Sequence, residues 1–250
     1  MQDETPQAAA DSVPLAREAF IERLREEGAR RYHDHHRYHV LMHAGQLTRT
    51  QLQQWVLNRY YYQTRIPIKD ALILSKSSEA EFRRMWIHRI HDHDGTADTE
   101  GGLAMWLRLA SGVGLDPEEV ASCRSVLPGV RFACDAYVEF VREHSLLEAV
   151  ASSLTEFFAP ELMSRRILAW EQHYPWVDPQ MLAYFRARVT RARGDSAEAI
   201  GYVTAHATSR LAQERCIAAL IVKTEILWHL LDTVYAAYIE PGWGPRGPRE

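Results

Sequence analysis

The chain contains 250 residues, of which 46% are hydrophobic and 25% are charged, and its formal net charge is −4. This length and composition predict one large domain with a sizeable hydrophobic core. The acidic balance argues against a general nucleic-acid-binding surface. Cys123, Cys134 and Cys216 form no C-x-x-C pair, so no disulfide framework is expected. Because the N-terminal residues also show no apolar signal-peptide segment, we expect a cytoplasmic protein.

Helical periodicity recurs along the chain between short turns, and no hairpin signal or run of alternating β-branched residues predicts a sheet. The pattern predicts an all-α, compact multi-helix bundle in a single domain at residues 15–240. The tails at residues 1–14 and 241–250 are expected to be disordered. Gly- and Pro-containing turns are predicted, among them Asp94–Gly95 and Arg193–Gly194. The predicted helices span residues 15–28, 48–64, 68–75, 79–93, 102–113, 130–151, 160–171, 179–193 and 195–239, the last broken near residue 207.

Histidines are concentrated in two short stretches of the chain. On a helix, His35, His39 and His43 would share one stripe, and His88 with His91 would form a second pair, so metal ligation is geometrically possible. A bundle-type di-iron site would need Glu-x-x-His pairs, which do not occur. Helix caps, surface histidines and core histidines bonded to a backbone carbonyl are the alternatives.

The stretch Trp55–Asp70 sets two arginines, a lysine and a glutamine among aromatic and aliphatic residues. If this stretch is helical up to Thr64, Arg59 and Gln63 lie four apart and share a face. Pro67 predicts a break before a new helix begins. A buried arginine needs an anion, which either a protein carboxylate or an acidic ligand supplies.

Later helices add further cations and proton carriers at helical spacing. His93 follows Arg89 by four residues, and Arg188 follows Tyr184 by four. Lys223 lies in an apolar run that predicts the central helix of a bundle, because ionisable residues interrupt the run too often for a membrane span. Lys223 either pairs or reaches the surface, or it faces a ligand. No nucleophile elbow, phosphate loop or dinucleotide fingerprint occurs.

Long motifs spread over many helices match one known family. They read Tyr32-His33-x-x-His36, Gly45 through Trp55-Val-x-Asn58-Arg59-Tyr-Tyr-Tyr-Gln63-Thr-x-Ile66-Pro67-x-Lys69-Asp70, Arg89-Ile-x-Asp92-His93-Asp94-Gly95, Gly101-Gly102, Leu127-Pro128-Gly129-Val130-Arg131-Phe132-Ala133, Ser152-Ser-Leu-Thr155-Glu156 and His173-Tyr-Pro-Trp176. On these motifs, the chain resembles the pyrroloquinoline quinone synthase C family over nearly its whole length outside the tails.

The resemblance implies a heme-oxygenase-like bundle of helices with a hydrophobic C-terminal helix, assembled as a homodimer without heme. The implied activity is that of a cofactorless oxidase. It closes the last ring of a bicyclic tricarboxylate precursor and uses O2 to oxidise the product to pyrroloquinoline quinone, with release of hydrogen peroxide. The implied partners are the small-molecule precursor and O2, with no metal, nucleic acid or membrane. Several buried cations suit such a substrate, because bidentate arginines hold carboxylates in a fixed orientation.

Carried over position by position, the family's pocket assigns two groups of residues in this chain. His93 is the expected general acid and base, and Tyr184 and Arg188 are expected to surround dioxygen with it, where positive charge stabilises reduced oxygen. The expected substrate-binding residues, which hold the carboxylates and quinone oxygens, are Tyr32, His33, Arg59, Gln63, Lys69, Arg89, Thr155, Glu156, Arg166 and Lys223.

One position departs from the family pattern. The family usually carries a histidine three residues before the arginine that matches Arg166, and this chain has Met163 there, which cannot carry a proton. Of the two adjacent arginines in this helix, Arg166 rather than Arg165 is aligned with the family's arginine. A quinone-binding paralogue with altered activity is one alternative. A metal-dependent oxidase of the same fold, with His35, His39, His91 or carboxylates as ligands, is another.

Overall fold

The computed structural model describes residues 13–240, which contain twelve α-helices, three short 3₁₀-helices and no β-strand. This confirms the predicted all-α class. Of the tails predicted to be disordered, residues 1–12 and 241–250 lie outside the described residues. The helices are α1 (Arg17–Arg31), α2 (Arg37–His43), α3 (Arg49–Ser75), α4 (Ala80–Trp86), α5 (His88–Asp94), α6 (Gly102–Gly112), α7 (Pro117–Ser122), α8 (Pro128–Glu143), α9 (Leu146–Ser152), α10 (Ala159–His173), α11 (Ala183–His206) and α12 (Arg210–Tyr238), with 3₁₀-helices at His33–His35, Ser153–Phe157 and Pro179–Leu182.

Helix α3 runs without interruption through Pro67, so the predicted break before this residue is wrong. Thr48 begins the helix with a capping box, in which its hydroxyl accepts from the Gln51 N–H and the Gln51 side chain accepts from the Thr48 N–H. A proline inside a helix costs about 3 kcal/mol. The helix continues because it packs against α5, α6 and α8, and this tertiary packing outweighs the local preference.

Two predicted helices are each divided in the structure. The segment predicted at 79–93 forms α4 and α5, which meet at Ile87. The segment predicted at 130–151 forms α8 and α9, because Ser145 caps a new helix in a capping box with Glu148. Hydrophobic periodicity therefore continues across the junction of two helices, and in the second case the capping residues show where the new helix begins.

Helix α11 continues through Gly194, so the predicted turn at Arg193–Gly194 is wrong. Glycine in a helix costs only about 1 kcal/mol relative to alanine, which neighbouring turns of a long packed helix readily offset. The chain does break after His206, near the predicted position, and Ser209 caps the next helix. The two short helices α2 and α7 were not predicted.

The C-terminal helix α12 lies at the centre of the bundle and packs against α1, α8 and α9. Its buried side chains include Leu220, Lys223, Leu227 and Leu231, which agrees with the predicted hydrophobic C-terminal helix. Within residues 13–240, no helix is long and apolar enough to cross a membrane.

A group of aromatic rings joins α3 to α6, α10 and α11. Trp55 contacts Trp106 and Trp170, with ring centroids 5.6 and 6.1 Å apart, and Phe185 packs against all three rings. The Trp106 indole N–H donates to the carbonyl of Val56 at 3.0 Å. These large side chains bury extensive apolar surface and hold the four helices in a fixed arrangement around the cavity described next.

Candidate active site

A small buried cavity lies between α3, α5, α6, α10, α11 and α12, and its wall is completed by Tyr32 and by the 3₁₀-helices at His33–His35 and Ser153–Phe157. Its volume is about 50 Å³, which accommodates one or two water molecules. Ten of the thirteen predicted site residues line it, together with six others. The predicted residues on its wall are Tyr32, His33, Arg59, Gln63, His93, Thr155, Glu156, Arg166, Tyr184 and Arg188, and the others are Tyr62, Ile66, Trp106, Ala159, Met163 and Leu227.

One face of α3 supplies four of the sixteen residues that line the cavity. Arg59, Tyr62, Gln63 and Ile66 follow the i, i+3, i+4, i+7 spacing that places side chains on one side of a helix. The Arg59 guanidinium stacks over the Tyr62 ring, 3.9 Å from its centroid, and forms no ion pair with the described residues. Sequence reasoning missed Tyr62, although its position three residues after Arg59 is a signal that could have identified it.

Arg166 is buried against the cavity without a carboxylate partner in the described part of the chain. Its guanidinium donates to His39 Nε2 at 3.2 Å and contacts Met163 Sδ at 3.7 Å, while its Nε has no hydrogen-bond partner. Burial and the Arg59 charge lower the pKa of Arg166 to about 9, so the group remains charged at neutral pH. Arg165 is exposed and pairs with Asp34, which supports the predicted assignment of the pocket position to Arg166.

Lys223 does not line the cavity but lies directly behind its wall. The ammonium donates to the Tyr62 hydroxyl at 2.8 Å and lies 3.3 Å from the centre of the Tyr137 ring. Only 1% of the residue is exposed, so it does not reach the surface, and Glu225 lies in a separate surface groove. Burial, with the charges of Arg59 and Lys69, holds the pKa of Lys223 well below its usual value.

Other cations of the predicted site are paired within the protein. Lys69 lies behind the wall, 2.6 Å from an Asp70 carboxylate oxygen, and donates to Ser153. Arg188 bonds both Glu156 and Asp195, the latter at 3.2 Å.

Arg89 also lies outside the cavity wall and is paired. It lies 3.9 Å from Asp195 and Glu198, and it donates to the Asp195 carbonyl. Among the described residues, the predicted cations therefore form two classes. Lys69, Arg89 and Arg188 have acidic partners, whereas Arg59, Arg166 and Lys223 do not. A buried cation without a partner is costly, and an anionic ligand relieves that cost.

His93 lies in the last turn of α5, with one ring nitrogen directed at the backbone. Its Nδ1–H donates to the Arg89 carbonyl at 3.0 Å, which leaves Nε2 as a lone-pair acceptor with no partner in the described residues. Burial and the nearby Arg188 charge lower the pKa of His93 to about 4. The imidazole is therefore neutral at pH 7 in this structure, and its free nitrogen is suited to accept a proton.

The turn after α5 depends on glycine. Gly95 has φ +86°, a left-handed conformation that other residues rarely adopt. Any Cβ at Gly101 would collide with the backbone of Gly95 and of His93. Larger residues at either position would therefore displace the His93 backbone, so these glycines fix the position of the imidazole.

Tyr184 and Gln63 are connected across the cavity. The Tyr184 hydroxyl donates to Gln63 Oε1 at 2.7 Å, and the Tyr184 ring packs edge-on against Trp106 with centroids 4.8 Å apart. Burial raises the pKa of Tyr184, so the phenol is neutral and retains its proton. Thr155 and Glu156 enter from the 3₁₀-helix that follows α9.

Of the first group of histidines considered as metal ligands, His39 and His43 stack with ring centroids 5.9 Å apart, but His35 does not join them. His35 lies in a 3₁₀-helix and is exposed, so the predicted stripe with His39 and His43 on one helix is wrong. His36 caps α2 through its Nδ1, which accepts from the Tyr38 N–H, and this cap sets the helix start after His35.

His88 and His91 both lie on α5, but they have different surroundings. His88 bonds Asp195 at 3.1 Å, and His91 is exposed. His88, Asp92 and Asp195 form the only group of three metal-type ligands in the described chain. Both carboxylates already pair with arginines, Asp92 with Arg191 at 3.2 Å, so the group functions as an ion-pair network and is poorly suited to a cation.

The neutral His93 predicts a loss of stability in mild acid. The unfolded imidazole binds a proton below about pH 6.5, whereas the folded one does so only near pH 4. Because the unfolded state binds more protons, the free energy of unfolding falls by about 2 to 3 kcal/mol between pH 6.5 and 4.5 through this residue. Urea unfolding at both pH values measures it. His93→Asn should lose that much less than the parent, and equal losses would contradict the assignment.

Comparisons with known proteins agree on one family. A sequence model of the TENA/THI-4/PQQC family matches residues 21–233. A pyrroloquinoline-quinone synthase of Rhizobium meliloti is 52% identical over 231 residues, covering 92% of this chain and 90% of that protein. Another, from Pseudomonas putida, is 49% identical over 229 residues, covering 92% of this chain and 91% of that protein.

Solved structures extend the likeness to the fold. A domain of unknown function with a heme oxygenase-like fold from Shewanella denitrificans has a TM-score of 0.72 at 14% identity, covering 90% of this chain and 94% of that one. A TenA homologue from P. horikoshii has a TM-score of 0.68 at 12% identity, covering 86% of this chain and 98% of that one. These likenesses confirm the predicted heme-oxygenase-like bundle.

Proposed function

Since this chain belongs to the TENA/THI-4/PQQC family, we propose that it is a pyrroloquinoline-quinone synthase. Its substrate is a bicyclic precursor that carries an amino acid side chain and three carboxylates. The enzyme closes the last ring, and O2 oxidises the product to pyrroloquinoline quinone with release of hydrogen peroxide. The relatives that carry this name match almost the entire chain, which supports assigning the whole activity to it.

The presence of three cations without acidic partners at one cavity carries this proposal. Arg59, Arg166 and Lys223 form no ion pair with any described residue, and burial lowers the pKa of the last two. A ligand with three carboxylates supplies the missing negative charge and makes charge-assisted hydrogen bonds to the arginines. Binding should therefore be strong and should restore the full charge of Lys223.

The cavity must widen to admit such a substrate. Its present volume of about 50 Å³ is far smaller than the roughly 300–1,000 Å³ of ordinary small-molecule sites. The Arg59 side chain forms no ion pair with the described residues, so it can move away from Arg166 without breaking one. Carboxylates that enter between them replace the contacts that are lost.

In this proposal, different residues transfer protons and stabilise reduced oxygen. His93 accepts a proton through Nε2 during ring closure and returns it later, because the added substrate charges raise its pKa from the low value of the empty site. Tyr184 is a neutral proton donor, and the Arg188 charge stabilises superoxide and peroxide as they form. The substrate itself supplies the electrons, so no metal or organic cofactor is required.

Three further features belong to the same proposal. The protein is a homodimer, it is located in the cytoplasm, and its chemical partners are the precursor and O2. Size-exclusion chromatography with light scattering distinguishes a dimer near twice 28.7 kDa from a monomer.

The proposed function predicts oxygen consumption on addition of the precursor. The ring-open precursor is mixed with the protein anaerobically, oxygen is then admitted, and absorbance, oxygen and peroxide are followed. We expect the quinone spectrum and peroxide to appear without added cofactor, and treatment with a chelator to leave the rate unchanged. Loss of activity on chelation, restored only by iron, would instead indicate a metal-dependent oxidase. Tight binding of the quinone without oxygen uptake would indicate a binding paralogue.

A further inference from the structure

His39 lies behind the cavity wall and touches two residues that line it. It is 1% exposed and is directed between His33 and Arg166. Its Nδ1 lies 3.0 Å from the His33 carbonyl oxygen and 3.2 Å from His33 Nδ1, and its Nε2 lies 3.2 Å from an Arg166 nitrogen. Both ring nitrogens of His39 are thus occupied by site residues.

The partners of His39 determine which nitrogen carries its proton. Arg166 is a donor only, so His39 Nε2 must accept. The His33 carbonyl is an acceptor only, so His39 Nδ1 must donate. In the opposite tautomer, an N–H at Nε2 would face the Arg166 N–H, and a lone pair at Nδ1 would face the lone pairs of the His33 carbonyl oxygen. Burial and the Arg166 charge keep His39 neutral at pH 7 by holding its pKa well below the usual value.

The same proton determines the tautomer of His33. Because His39 Nδ1 carries a hydrogen directed at His33, the facing Nδ1 of His33 is an acceptor and its proton resides on Nε2. Burial and the charge of Arg59 hold the pKa of His33 well below its usual value. His33 Nε2 has no partner among the described residues, and the side chain lines the cavity, so this N–H is available to donate to a ligand.

We infer that His39 is a positioning residue that holds the Arg166 guanidinium in place and fixes His33 as a hydrogen-bond donor to the substrate. The inference rests on the proposed function, because Arg166 and His33 are taken there to hold the precursor. Arg166 has no acidic partner in the described chain, and its Nε is unbonded, so the bond to His39 is its principal directional contact. Two histidines and an arginine then act as one preorganised unit.

Two substitutions distinguish the contact of His39 with Arg166 from its contact with His33. In His39→Gln the side-chain amide occupies the region of Nε2 and can accept from Arg166, but the donor to His33 is lost. In His39→Asn the amide occupies the region of Nδ1 and can donate to His33, but the acceptor for Arg166 is lost. His43→Asn is the matched control, because His43 stacks against His39 at 5.9 Å and bonds neither His33 nor Arg166.

Binding of pyrroloquinoline quinone, precursor turnover and thermal melts are measured for each variant. We expect His39→Asn to weaken quinone binding and to raise KM by about 10-fold to 100-fold, the range for a lost hydrogen bond to a charged group. His39→Gln should weaken binding less, by about threefold to tenfold, because the bond to Arg166 is kept while His33 is no longer fixed as a donor and one neutral hydrogen bond to the ligand is lost. The control should resemble the parent. If all three variants instead lose quinone affinity to the same extent, and this loss follows the decrease in melting temperature, His39 has only a packing role.

A measurement on the ligand-free parent tests the inference independently of activity. Nitrogen and carbon NMR shifts of labelled histidines report tautomers at pH 7, and we expect Nδ1–H for His39 and Nε2–H for His33. The reverse tautomer, or a protonated His39, overturns the inference even if every variant folds poorly. If the parent never consumes oxygen with the precursor, the proposed function fails, whereas these spectra still decide the role of His39.

Discussion

His93→Asn is expected to reduce the rate of the oxygen-dependent steps by about 100-fold to 10,000-fold, the usual contribution of a general acid or base. Precursor binding should stay within a few-fold of the parent, because the cations that hold carboxylates are untouched. The asparagine amide can still donate to the Arg89 carbonyl, so the end of α5 should keep its conformation. Single-turnover absorbance measurements after oxygen is admitted separate binding from oxidation.

A neighbouring histidine provides the control for this experiment. His91→Asn changes an exposed imidazole on the same short helix and should leave both binding and rate unchanged. Loss of binding in His93→Asn with an undiminished residual rate would contradict the assignment of proton transfer to His93. Equal rate losses in both variants would instead indicate a general disturbance of α5.

The site residues were predicted from the family motifs, and local spacing predicted which of them share a helix face. Arg59 with Gln63, and Tyr184 with Arg188, lie four apart on helices, and each pair lines the cavity together. The all-α class followed from the same periodicity. Spacing failed at Pro67, where packing against three helices maintains a helix that the local sequence opposes.

The partners of the cations could not be predicted from the sequence. Arg188 meets Glu156 only because α11 packs against the 3₁₀-helix after α9, and no local pattern links these two residues. Its other partner, Asp195, lies seven residues further along α11 itself. His35 and His39 would share a stripe if both lay on one helix, but the His36 cap moves the helix start beyond His35. Contacts between distant segments therefore determine which predicted residues are free to bind a ligand.

Among the described residues Arg166 has no acidic partner, so we expect its replacement to stabilise the protein and to weaken ligand binding. Arg166→Met removes a buried charge whose hydrogen-bond partners in the described chain are His39 and Met163. The guanidinium also lies over the Trp55 and Phe185 rings, 4.8 and 5.4 Å from their centroids. We expect the empty protein to become more stable by about 1–3 kcal/mol, after the lost bond to His39 is subtracted. Binding of pyrroloquinoline quinone should weaken by about 100-fold. Urea unfolding and quinone titration measure the two effects.

Lys69→Met is the matched comparison, because it removes a buried cation that does have a partner. Asp70 is 1% exposed, and Lys69 is the cation in contact with its carboxylate, so the variant leaves a buried charge without a counterion. Such a loss typically costs about 3–5 kcal/mol. We therefore expect the unfolding free energy to fall in Lys69→Met and to rise in Arg166→Met. Lys69 neutralises a buried carboxylate of the protein, whereas Arg166 is neutralised only by a bound ligand. If Arg166→Met is as destabilising as Lys69→Met, Arg166 has a structural role, and the negative charge of the substrate must be held elsewhere.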